Sequence, residues 1–203
     1  MLANEFVARK FDIKWLLREL ALTQTYQRSS LLPSGLERES LPDRYVVAIE
    51  KPLSTEQLMW SILQATGELP RYQPTVDTDG KPKPNAPYDD LKKRFVAAFA
   101  NPPRDPEVDF APSVKAALFL SNDGKVLELL KPRDGNLTEQ LVKETDSTTL
   151  AELLYFAILT RTPSPDEAAD VAKYLAAHAD DRTNTVGQLI WAIIASTEFC
   201  VNH

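Results

Sequence analysis

Three stretches in the last third of the chain repeat apolar residues at helical spacing, and each is closed by residues that cannot continue a helix. Leu150, Leu153, Leu154, Ala157 and Ile158 line one face of a first helix, which Thr162-Pro163 stops because proline disfavours helical backbone in the residue before it. Ser164-Pro165-Asp166-Glu167 then opens a second helix: serine as N-cap, proline in the first turn, and two acids at the positive end of the helix dipole, ahead of Ala168, Val171, Ala172 and Leu175. After Asp180 to Thr183, Val186, Leu189, Ile190, Ile193 and Ile194 mark a third. Helices of this length on short links pack antiparallel, so 147–203 reads as a three-helix subdomain of an all-α fold.

The same grammar runs upstream. Asp12 is placed to cap an amphipathic helix reaching about Tyr26, with Ile13, Leu16, Leu17 and Leu20 on its apolar side. Ser54-Thr55-Glu56-Gln57 is a capping box before Leu58, Ile62 and Ala65, and Gly67 supplies the left-handed residue that ends such a helix. A further helix is expected from about Tyr88 to Ala100, stopped by Pro102 and Pro103. Pro112 suits the first turn of another, carrying Val114, Ala117 and Leu118 and breaking at Ser121 to Gly124. Val126–Leu130 and Leu137–Lys143 read as shorter helical pieces.

Two segments resist a helical reading. Ser29 to Asp43 is rich in Ser, Leu and Pro, and the apolar run Tyr45 to Ile49 suits either a short strand or a helix turn. Residues 69–87 hold five prolines in 19 positions and a Thr78-Asp79-Gly80 turn, which predicts a long Pro-rich loop draped on the surface. No internal repeat of fixed period is present. The expectation is an irregular multi-helix bundle over 1–203, a single helical domain with little or no β structure.

Composition narrows the function. With 23 Lys plus Arg against 29 Asp plus Glu the net charge is −6, and the pI near 5.0 argues against nucleic-acid binding, which draws its affinity from clustered cations. The imbalance is uneven: Ser147 to His203 hold seven acids and three bases, while the first 28 residues hold three acids and five bases. No uninterrupted apolar run exceeds seven residues, as at Leu189 to Ala195, against about 20 needed to span a bilayer, so no membrane insertion is expected. The start, MLANEFVARKF, has no apolar signal-peptide core.

Candidate chemistry is sparse. One cysteine, Cys200, rules out an intrachain disulfide, an iron–sulfur cluster and a Cys-based zinc site, and two histidines, His178 and His203, make no paired metal motif. The six glycines form no phosphate-cradling loop, and Asp77 to Gly80 lacks the downstream Glu of a calcium loop. Cys200 and His203 would share a face if the last helix continued, but no third group stands ready to orient them, so Cys200 reads as a small buried hydrophobe. Asp89-Asp90 and Asp180-Asp181 are adjacent and diverge on a helix, which suits N-terminal charge better than acid/base pairing. Trp15, Trp60 and Trp191 each lie in a helical pattern and read as core packing before sugar stacking. The expected site list is therefore empty for catalysis, cofactor and metal.

Longer strings carry a family resemblance: FDIKWLLRELALTQTYQRSS at 11–30, STEQLMWSILQATG at 54–67, DFAPSVKAALFLSND at 109–123, LAELLYFAILTRTPSPDE at 150–167 and QLIWAIIASTEFCVNH at 188–203. Together they resemble a planctomycete-specific domain of unknown function, abbreviated PSD. The resemblance extends over essentially the whole chain, with Ser196, Glu198, Phe199, Asn202 and His203 as its terminal motif. It implies the C-terminal part of a longer periplasmic or secreted protein, often with a companion domain and sometimes a planctomycete cytochrome c-type domain. It implies no catalytic residue. Many members carry a Cys-containing segment where this chain reads Pro102 to Asp109, so a redox or metal role for those cysteines does not transfer.

The expected function is a non-catalytic helical interaction or scaffold module whose partners are other domains of its parent protein. Polysaccharide binding or processing is the alternative, and a docking surface for an attached cytochrome domain comes after it. Arg161, Glu198, Asn202 and His203 are the candidate structural motif: Arg161 pairs with a helix C-terminus or with a carboxylate such as Glu198, while Glu198, Asn202 and His203 cap the last helix and tie the C-terminus to a neighbouring turn.

Overall fold

The computed structural model describes residues 2–29, 47–48, 51–73, 75, 78–79, 83, 85–99 and 114–202, leaving out the side chains of 114–117 and 202. Most of Ser29 to Ile49 and all of Pro102 to Pro112 therefore lie outside the described residues, as does His203. Described residues form twelve helices and one ladder of two strands with two residues each. The fold is all-α.

The chain divides into two compact units, Met1–Lys51 with Asn202–His203, and Pro52–Val201. In the first unit, helix α1 (Leu2–Ala8) precedes α2 (Ile13–Ala21). Asp12 caps α2 by accepting the Trp15 N–H at 3.1 Å. The helix is shorter than its periodicity suggests. Leu22 is its C-cap and turns occupy 24–27, where the Thr23 hydroxyl bonds back to the Leu20 carbonyl at 2.7 Å and takes the Tyr26 N–H. The arginine of Arg9 lies 4.3 Å over the Trp15 ring. No residue of α1 or α2 is buried, and the apolar stripe Ile13, Leu17 and Leu20 stands exposed.

The second unit holds every buried apolar residue described. Strand β1 (Lys51–Pro52) leads into α3 (Thr55–Ala65), whose capping box forms in both directions between Ser54 and Gln57. Gly67 follows with φ +76°, and a side chain there would meet the Asn136 backbone at 3.3 Å, so glycine is required twice over. The stretch expected as loop opens with a turn of helix, α4 (Leu69–Tyr72), started by Pro70, and closes on α5 (Ala86–Phe99). Helix α6 (Val114–Asn122) gives way to α7 (Gly124–Leu129) at Asp123, whose carboxylate caps Lys125 and Val126. Then come α8 (Leu137–Lys143), α9 (Ser147–Leu159), α10 (Pro165–Ala177), α11 (Arg182–Ile194), α12 (Thr197–Cys200) and strand β2 (Val201–Asn202).

The core forms where the apolar stripes meet. Leu58, Ile62 and Leu63 of α3 pack with Leu150 and Leu154 of α9 and Val186 and Ile190 of α11, all at most 1% exposed. Burying each such side chain contributes about 1.5–3 kcal/mol. Phe95 and Phe99 of α5 meet Phe119 of α6 edge-on, with centroids 5.0 and 5.9 Å away. Arg182, first residue of α11, reaches the end of α8: its guanidinium donates to the carbonyls of Leu141, Val142 and Glu144. A cation there satisfies carbonyls that no helical N–H can reach.

The last helical stretch is broken rather than continuous. Ser196 accepts the Phe199 N–H and starts α12 anew, and Val201 is extended at φ −116°, ψ 154°. Asn202 therefore lies on strand β2 rather than one helical turn past Glu198, and the continuous helix that would pair Cys200 with His203 does not form. Among the described residues no helix is long and apolar enough to cross a membrane.

Candidate functional site

Two polar nodes and one cleft, all inside the second unit, bring together side chains from separate elements. The first node is built on Arg161. Helix α9 ends with Thr160 in the left-handed conformation, φ 57°, and this turn carries Arg161 back towards the start of α10. Pro163 and the N-cap Ser164 then fix Glu167 at the third helical position, where it takes the Ser164 N–H at 2.7 Å. Arg161 Nη1 and Nη2 donate to the two Glu167 oxygens at 2.9 and 2.7 Å. Its Nε and Nη2 donate to those of Glu198 on α12 at 2.6 and 2.8 Å. Nη1 also reaches the Thr162 carbonyl at 3.1 Å.

A guanidinium has five N–H donors, and these five contacts engage all of them. The group is thereby a clamp joining the end of α9, the start of α10 and α12, with nothing left to offer a substrate. The Glu167 carboxyl is lowered to about 2, first by Arg161 and then by the Ser164 amide, so it stays ionised and cannot exchange protons near neutrality. Arg161 is held above the usual guanidinium range by Glu198 and Glu167. Tyr155, whose ring lies 5.2 Å under the guanidinium, is raised chiefly by burial.

The structure thus brings together Arg161 and Glu198 and adds Glu167, which the sequence places only as a first-turn acid. Asn202 lies on β2, and His203 lies outside the described residues. Cys200 is half-buried, its thiol pushed up by burial and its Sγ 3.8 Å from the Ile194 carbonyl, which suits packing and not nucleophilic attack.

The second node was not read from the sequence. Glu68, 2% exposed, follows Gly67 at the end of the α3 turn. It accepts from Arg71 at 2.8 Å and from the Asn136 amide at 3.0 Å, with Arg133 Nη1 3.5 Å away. Asn136 caps α8 through the Glu139 N–H, takes the Arg133 N–H, and donates its second amide hydrogen to the Lys131 carbonyl. Its four hydrogen-bonding positions are all filled. Beside it the Leu137 N–H donates to the Thr66 carbonyl at 3.1 Å, so the start of α8 satisfies the end of α3. The only local signal was the Glu68–Arg71 spacing; the other partners lie more than 60 residues on.

The cleft has a volume of about 1190 Å³. Helix α11 is its floor: Gly187 sits against the Leu130 carbonyl on one side, and Gln188 accepts the Tyr174 hydroxyl on the other. Leu127, Leu130 and Lys131 also line it, as do Asp170, Val171 and Tyr174 of α10. Trp191 lines it too, its indole N–H engaged by the Leu120 carbonyl at 3.0 Å. No group of three or more potential metal-ligating side chains occurs among the described residues.

The sequence model of the PSD1 family, described as protein of unknown function (DUF1553), matches residues 1–175. The chain belongs to this family. Comparison with curated proteins and with solved structures returns no match. In PSD1 terms the matched span includes Arg161 and Glu167 and ends inside α10, so Glu198, the third member of the clamp, lies beyond it.

Proposed function

We propose that this PSD1 domain is a non-catalytic interaction module of a larger extracytoplasmic protein, working on other domains of its parent. The observation that carries this reading is how the polar groups are used. In the Arg161 and Glu68 nodes the converging groups are engaged with one another, Arg161 with all five donors taken and Asn136 with all four positions filled. Catalysis needs groups whose hydrogen bonding or proton affinity is reserved for the reacting molecule, whereas a docking module needs a shaped, largely apolar surface. The cleft along α11 supplies that surface.

Polysaccharide binding is the second reading, favoured by the presence of both Tyr174 and Trp191 in the cleft. The deciding experiment titrates this chain against the remainder of its parent polypeptide, produced separately, by calorimetry, beside a turnover screen on a polysaccharide panel. Saturable association without turnover is expected. Turnover that a single polar substitution abolishes would overturn the proposal.

A further inference from the structure

We draw no further inference here: the strongest candidate, the exposed apolar stripe of Ile13, Leu17 and Leu20 on α2, is a helix face left unburied among the described residues, and nothing in the structure shows what covers it.

Discussion

At Arg161, replacement by alanine takes five hydrogen bonds from two carboxylates and a carbonyl at once. The guanidinium is 37% exposed, so water screens part of the effect, and the loss should fall at about 1–2 kcal/mol, between the value of a surface ion pair and that of a buried charged hydrogen bond. Arg161→Lys should recover less than half, because an ammonium cannot form two forks. Urea denaturation of the three proteins measures this, and binding of the parent protein's other domains should be unchanged in both variants. Glu167 sets the acid side of the same clamp. Its carboxyl is lowered from 4.5 to about 2, so between those values the unfolded chain takes up a proton that the folded chain does not. The stabilisation is complete above pH 4.5, declines as the pH falls, and is gone below 2. Glu167→Gln should flatten the pH dependence of unfolding free energy in that window; parallel curves for the two proteins would show that the clamp does not couple to protonation.

Among the elements, the joint between α3 and α8 is the most exacting. Gly67→Ala forces a side chain into the left-handed region and against the Asn136 backbone, a cost of about 1–2 kcal/mol. Asn136→Ala loses the α8 cap and leaves the buried Glu68 short of a donor, together about 2–3 kcal/mol. Because both act on one contact, the double variant should cost less than their sum, which a double-mutant cycle by chemical denaturation reads directly. The two positions also show what the sequence makes legible. Caps are local chemistry, so Asp12, Ser54, Gly67 and Ser164 mark their helix ends from neighbours within four residues. Glu68 with Asn136 is a tertiary fact, and no spacing rule links positions 68 residues apart. Arg161 and Glu198 lie in between: an arginine at a helix end invites a carboxylate, but that Glu167 shares the fork follows only once α10 turns back on α9. The break at Ser196 is the converse, a serine N-cap overriding an apolar period that runs on.

For the whole molecule, the matched family span and the compact unit do not coincide, and they make opposite predictions about where the chain can be cut. Every buried apolar residue described lies between Leu58 and Phe199, inside Pro52–Val201. The family match instead runs over 1–175 and stops within α10. A fragment ending at 175 lacks Val186, Ile190, Ile193 and Ile194 of α11 and Phe199 of α12, all core residues, along with Glu198 of the clamp and the Arg182 cap on α8. At about 1.5–3 kcal/mol for each buried side chain, the apolar loss alone is on the order of 10 kcal/mol, comparable to the entire stability of a domain. Fragment 1–175 should therefore show no cooperative thermal transition. Fragment 52–201, which keeps the buried core and both polar nodes, should melt cooperatively within a few degrees of the full chain, because the described residues it omits bury none of their apolar side chains. Circular dichroism melts of the two fragments decide between the boundaries. A folded 1–175 would mean that α11 and α12 are appended to a core complete without them, and the docking cleft, whose floor is α11, would then belong to an accessory layer instead of the domain proper.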